Sequence, residues 1–324
     1  MKTLTYIEAI SEALWEEMER DKNVFLLGED IGAYGGAFKV TKGFYEHFGE
    51  ERVIDTVLAE EAIIGAATGA AVVGMRPVAE IQFADFITSG FNQLVNNSAK
   101  IFWRWNIPVP LVVRLPSGGG IHGGPYHSIN PEAWFFHVPG LKLVAPSTPY
   151  DAKGLMKAAI RDNNPVLYFE SKYLYRRIKG EIPKGDYIVE IGKADVKRNG
   201  NDISIITYGS AVHWSLEAAD ILSKENVDVE VLDLRSLMPL DTEAIFSSVK
   251  KTGKVLIVHE DSLTGGIGGE IAALISDNCF QYLDAPIKRV AALDAPVPYA
   301  PTLEEYFLPN TEKVVKALRE LEAF

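Results

Sequence analysis

The chain has 324 residues, of which 47% are hydrophobic and 23% charged, and carries a formal charge of −12 at pH 7. That length and balance fit a globular protein of two ordinary domains and exclude a disordered or fibrous chain. The acidic surplus argues against broad binding to nucleic acid or anionic membranes, both of which depend on basic surface. The longest apolar run, Ala62 to Met75, is shorter than the roughly 20 residues of a membrane span, so no span is expected. The N-terminus has no basic region followed by an apolar core, which makes the cytoplasm the expected location. Cys279 is the single cysteine, so an intrachain disulfide and a cysteine metal cluster are excluded, and its expected place is the core.

In chain order, Thr5 and Glu8 have capping-box spacing ahead of apolar positions Ile7, Ile10, Leu14 and Met18, which predicts an amphipathic helix over residues 4–20. Val24 to Leu27 reads as a strand, followed by a loop around Tyr34-Gly35-Gly36, and Val53-Ile54 leads into residues 55–75. This last stretch is rich in alanine and glycine and predicts a buried helix with adjacent carboxylates, Glu60 and Glu61, at its mouth. A glutamate there is either a solvated first-turn carboxylate or a desolvated one with a raised pKa suited to proton exchange. Spacing alone favours the solvated reading.

Arg76-Pro77 is expected to stop that helix, with a strand from Val78 to Phe83 placing Gln82, Asp85 and Phe86 near its C-terminal end. Ligands of parallel sheets collect at such ends. Phe91 to Trp105 has helical periodicity, and Val109 to Leu115 reads as a strand emptying into the glycine-rich segment Ser117 to Ser128. Leu141 to Ala145, Pro149 to Arg161 and Pro165 to Phe169 give a further strand, helix and strand. The first domain is expected to end near residue 185, and 186–202 to form a linker or hairpin. The second domain, 203–324, reads as strands at Ile203 to Tyr208, Val229 to Leu234, Lys254 to His259 and Ile287 to Ala292. Its helices fall at Val212 to Ser223, Thr242 to Lys250, Gly269 to Ser276 and Thr311 to Ala323. Two three-layer α/β domains follow from this alternation.

Several familiar chemistries lack their patterns. The glycine-rich segment has no terminal Gly-Lys-Ser/Thr, so it is not a P-loop, and Gly265 to Glu270 does not give Gly-x-Gly-x-x-Gly in any register. His122, His127 and His137 are not spaced as a helical zinc pair, and no Gly-x-Ser-x-Gly elbow occurs.

The residues Asp55-Thr56-x-Leu58-x-Glu60, Ala79 to Phe86, Arg114-x-Pro116 through His127-Ser128, Pro139 to Lys142, Pro146 to Leu155 and Asp233 to Asp241 carry a resemblance that runs almost end to end. Together they resemble the β subunit of the thiamine-diphosphate-dependent 2-oxo acid dehydrogenases. The likeness is greatest to the branched-chain (2-oxoisovalerate) decarboxylase component, with the pyruvate and acetoin enzymes as near relatives. It implies a thiamine-pyrimidine-binding N-terminal domain and a transketolase-C-like C-terminal domain.

The resemblance further implies that Glu60 hydrogen-bonds a ring nitrogen of the cofactor's aminopyrimidine and favours its imino tautomer, which can deprotonate the thiazolium carbon. Leu58, Gln82 and Phe86 would surround the pyrimidine, Phe86 standing where branched-chain relatives often carry tyrosine. His127 would lie near the reacting carbon and assist decarboxylation or acyl transfer. Glu61 has no such role. Val57 and Pro125-Tyr126 depart from the family pattern and bear on the local turn and on substrate preference. A structural potassium ion is implied on carbonyls of Leu111, Val112 and Ala159 with Asp162 and Asn164, although Asp162 to Pro165 also reads as a plain turn.

No Gly-Asp-Gly motif is present. The implied α subunit would therefore bring magnesium and the diphosphate half of the site, forming an α2β2 heterotetramer that acts on a small 2-oxo acid. It would pass the acyl group to the lipoyl acyltransferase core of the complex.

Overall fold

The computed structural model describes all 324 residues, which divide into two compact units: Met1–Ser117 with Trp134–Ile191, and Gly118–Ala133 with Gly192–Phe324. In order along the first part of the chain lie β1 (Lys2–Thr5), α1 (Tyr6–Arg20), β2 (Val24–Glu29), α2 (Phe44–Phe48), β3 (Val53–Thr56), α3 (Glu60–Val72), β4 (Arg76–Glu80), α4 (Ile87–Asn92), α5 (Ala99–Trp105), β5 (Val112–Ser117), α6 (Glu132–Phe136), β6 (Lys142–Val144), α7 (Pro149–Arg161), β7 (Val166–Ser171) and β8 (Lys179–Ile182).

Six of these strands run parallel in the order β6-β7-β5-β4-β2-β3, and β1 pairs antiparallel with β8. Alternate strand residues point to opposite faces. Val24, Leu26, Val78, Val112, Val166 and Tyr168 join Ile10, Leu14, Met18, Leu155 and Met156 of α1 and α7 in one cluster. The residues between them, among them Leu27, Ala79, Val113 and Leu167, are also buried, so helices must cover both faces. The capping box at Thr5 is formed: its hydroxyl accepts from the Glu8 amide while the Glu8 carboxylate accepts from the Thr5 amide.

The second unit contains β9 (Asp195–Arg198), β10 (Ile203–Thr207), α8 (Ala211–Ser223), β11 (Val229–Asp233), β12 (Ser236–Met238), α9 (Thr242–Thr252), β13 (Val255–Ser262), α10 (Gly268–Cys279), β14 (Lys288–Ala292), α11 (Pro301–Phe307) and α12 (Thr311–Glu322). Its sheet has the order β14-β13-β10-β11-β9, parallel except for β9 against β11. α8 and α12 share a core with Ile203, Ile205, Val229, Val231, Leu256 and Val258. Cys279 is buried at the end of α10. No helix is long and apolar enough to cross a membrane.

Several boundaries differ from expectation for local reasons. The helix expected over 55–75 is confined to Glu60–Val72, because Asp55 and Thr56 finish β3 and Ala59 is not helical. Gly74, at φ 96°, turns the chain after the helix, so Arg76-Pro77 opens β4 and is not the stop. The helical stretch expected from Phe91 starts at Ile87 and is interrupted by a π-helical turn at Gln93–Ser98. Residues expected as linker or hairpin include β9, an edge strand of the second sheet. The glycine-rich segment from Gly118 to Ala133 belongs to the C-terminal unit although it interrupts the N-terminal one in sequence.

Candidate active site

Parallel pairing sets Gly28 opposite Asp55 on one side and Glu80 on the other, and Glu29 opposite Thr56. The C-terminal ends of β3, β2 and β4 therefore bring Thr56, Glu29 and Glu80 to one edge. This is where side chains of a parallel sheet converge on ligands. Glu29 is buried with its Oε2 unpartnered, and the Thr56 hydroxyl is likewise unpartnered. Burial, reinforced by the charge of Glu60 and then of Asp30 and Glu80, raises the Glu29 carboxyl above the ordinary carboxylate range.

Glu60 stands in the first turn of α3, whose N-cap residue Ala59 offers no side-chain hydrogen bond, so the carboxylate faces the positive end of the helix dipole. Glu60 is half-buried and Glu61 exposed; Glu61 accepts from Gln93 Nε2 at 3.2 Å. Gly90 of α4 fits directly against the Glu60 main chain: a Cβ there would lie 3.3 Å from the Glu60 carbonyl oxygen and 3.1 Å from Ile64 Cγ1. The small residue that admits this approach is Gly90 of α4; the glycines of α3 do not, since a Cβ on Gly65 would meet only Gln93 at 3.6 Å and one on Gly69 nothing within 4 Å. Burial of α3 is only partial, because Ala62, Ala66, Gly69 and Val73 are exposed. In front of α3, Val57 and Leu58 are 78% and 81% exposed, apolar side chains with no cover from their own chain.

Gln82 follows β4 by two residues and is half-buried. Phe86 closes the 3₁₀ turn Ala84–Phe86, its ring edge-on to Phe83 at 6.0 Å, and Phe83 in turn packs on Phe38 at 5.4 Å. Leu58, Glu60, Gln82 and Phe86 accordingly occupy neighbouring elements of the first unit. The second unit carries His127, half-buried, one residue past the 3₁₀ turn Gly124–Tyr126.

Residues 2–177 match the family described as transketolase, pyrimidine binding domain, and residues 192–314 match transketolase, C-terminal domain. The chain is 58% identical to the 2-oxoisovalerate dehydrogenase subunit beta of Bacillus subtilis (strain 168), with 100% of each chain covered. The chain belongs to the β subunits of the 2-oxo acid dehydrogenases. Within that family it is 44% identical to the pyruvate dehydrogenase E1 component subunit beta of the same organism, again over 100% of both chains. The fold is also that of a solved chain titled split gene transketolase, inactive beta4 tetramer, with TM-score 0.83, 24% identity and 99% of each chain covered.

Two features of this 2-oxo acid dehydrogenase subunit lie outside the sequence reading. Glu29 lies two residues past the strand expected at Val24 to Leu27 and ends β2; its signal is a carboxylate at the C-terminal tip of a parallel strand. A second group of acids lies in the C-terminal unit: Glu132 accepts from the Tyr208 hydroxyl at 2.9 Å, and burial and the nearby Asp261 push the Glu132 carboxyl upward.

The oxygen atoms implied for potassium lie around the turn after α7. The Leu111 carbonyl accepts from the Val166 amide at 2.8 Å and that of Ala159 from the Asp162 amide at 3.2 Å. Asp162 Oδ1 accepts from the Asn164 amide and side chain, and Oδ2 from Lys142 at 2.5 Å. Burial works against the Asp162 charge, but these donors hold its carboxyl below the ordinary range. The Asp162 carboxylate is therefore already engaged by Lys142 and Asn164, and an added cation would have to share it.

Proposed function

We propose that this chain supplies the pyrimidine half of a thiamine diphosphate site whose diphosphate and magnesium half belongs to an α subunit. The pair would form an α2β2 assembly in the cytoplasm. The proposed reaction is oxidative decarboxylation of a branched-chain 2-oxo acid, 2-oxoisovalerate, with transfer of the acyl group to the lipoyl arm of an acyltransferase core. The observation that carries this reading is that Glu60, at a helix N-terminus, lies near enough for its charge to bear on Glu29, buried at the strand ends with its Oε2 unpartnered. A ring nitrogen needing a proton-sharing acid fits that geometry.

The cofactor, when bound, supplies the carbon nucleophile for the keto group. Glu60 would hold the aminopyrimidine by a hydrogen bond at its carboxylate and exchange a proton with it, with Glu29 as a second, buried acid nearby. Leu58 would gain cover for its exposed side chain, Phe86 would offer a ring face, and Gln82 would supply an amide. His127 would hold a proton for the reacting substrate. Carbonyls of Leu111, Val112 and Ala159 with Asp162 and Asn164 would hold potassium. Identity of 58% to the 2-oxoisovalerate subunit against 44% to the pyruvate subunit favours the branched substrate.

The test is decarboxylation of 3-methyl-2-oxobutanoate and of pyruvate by this chain alone and by this chain co-expressed with its α-type partner, with thiamine diphosphate and magnesium supplied. Activity in the pair only, higher on the branched acid, is expected. Preference for pyruvate would change the substrate and keep the shared site; activity from the single chain would overturn it.

A further inference from the structure

We infer that Glu304 and Glu260 are positioning residues that fix the glycine-rich segment carrying His127. This inference rests on the role proposed above for His127. The segment from Gly118 to Gly124 contains five glycines and would be expensive to order by its own contacts. Two buried carboxylates from distant parts of the chain order it instead. Glu260 of β13 accepts from the Gly119 amide through Oε1 at 2.6 Å and from the Ser210 hydroxyl through Oε2. Glu304 of α11, 1% exposed, accepts from the Gly120 amide through Oε1 at 2.9 Å. Its Oε2 accepts from the His122 amide at 3.2 Å and meets His122 Nδ1 at 2.6 Å.

The fit leaves no room for other residues. A Cβ on Gly118, where φ is 86°, would come within 2.7 Å of Glu260 Oε1. One on Gly124, where φ is 68°, would fall 2.3 Å from the Tyr299 ring. His122 is itself left-handed at φ 58°, a conformation costly for a non-glycine residue and maintained here by its two contacts with Glu304. The base of the segment is closed by the Gly118 amide donating to the Ile129 carbonyl at 3.0 Å. His127 thus sits five residues past His122, the last residue these carboxylates hold, on a loop whose first half Glu304 and Glu260 fix. Proton transfer tolerates little displacement, so a residue more than 170 positions away in sequence governs the geometry of His127.

The experiment uses the co-expressed α–β enzyme and the variants Glu304→Ala, Glu304→Gln and His127→Ala, alone and combined. Hydrogen–deuterium exchange across residues 117–130 is expected to rise in Glu304→Ala, and kcat to fall on the order of 10–100-fold with KM for the 2-oxo acid nearly unchanged. Glu304→Gln keeps the shape and one acceptor oxygen, so it guards against loss of folding and should recover part of both effects. Adding Glu304→Ala to His127→Ala should cost nothing further. Unchanged exchange, or a loss that adds in full to that of His127→Ala, overturns the positioning role. A fully active His127→Ala enzyme overturns the reading of His127 and this inference with it, an outcome distinguishable by that variant alone.

Discussion

Arg114 and Glu170 form a two-point ion pair, Nε to Oε1 at 2.7 Å and Nη2 to Oε2 at 2.9 Å, with both side chains sealed from solvent. Arg114 also reaches Glu80, and the Tyr175 hydroxyl donates to Glu170 at 2.7 Å. One guanidinium thereby ties together the C-terminal halves of β4, β5 and β7, two residues before Gln82. Burial raises the Glu80 carboxyl although the Arg114 charge opposes it, so removing the cation would leave two acids in a dry place. Arg114→Met should destabilise the subunit by about 3–5 kcal/mol. A thermal midpoint equal to that of the parent would show the triad to be dispensable.

Gly90→Ala tests the fit of α4 on α3. The added methyl would press on the Glu60 carbonyl and Ile64 at 3.3 and 3.1 Å, so the first turn of α3 must shift by a few tenths of an ångström. Stability should drop by only about 1 kcal/mol. Binding of thiamine diphosphate by the α–β enzyme, followed by equilibrium dialysis, should weaken by roughly tenfold, since misplacing a positioned group costs more than packing does. Parent-like affinity would separate Glu60 from cofactor binding.

What the sequence made legible was the pattern of periodic, apolar elements. Pro149–Arg161 and the capped helix after Thr5 are bounded by local signals, a proline at the first turn and a capping box, and they lie where such signals put them. Boundaries set by long-range pairing were not legible: β9 is a strand because β11 lies beside it, and nothing in Asp195–Arg198 alone says so. The same holds for the site. Glu60 stood out through its motif, whereas Glu29 matters because strand register sets it beside Thr56, and Glu304 because α11 folds back onto a loop near residue 120. The π-helical turn at Gln93–Ser98 has no sequence warning that we can identify.

Replacing potassium with choline in the buffer tests the cation site. With Asp162 already paired to Lys142, a bound potassium ion would share that carboxylate with the ammonium and exchange readily. Loss of a ligand that binds only the folded state lowers stability by mass action, here by about 1–3 kcal/mol at saturating potassium. The thermal midpoint of the α–β enzyme in potassium chloride should therefore exceed that in choline chloride at equal ionic strength. Coincident unfolding curves would mean that Lys142 alone serves this turn.

His259 provides the pH prediction. Its ring is fully buried on β13, stacked with Tyr208 at 6.2 Å, and a Cβ on Gly266 or Gly268 would come within 2.7 or 2.6 Å of it. Burial pushes its pKa down to about 4; the main chain at Asp261 works the other way and the Arg289 charge adds to the depression. Between the unfolded value near 6.5 and about 4, the unfolded chain takes up a proton that the folded chain refuses, so stability falls as pH falls through that window. The raised carboxyls of Glu132 and Asp261 act in the opposite sense but are common to parent and variant. His259→Gln removes the imidazole's share, about 2 kcal/mol between pH 7 and pH 5. The variant's denaturation midpoint should therefore gain on the parent's as pH falls over that range; a constant difference would mean that His259 is protonated inside the fold.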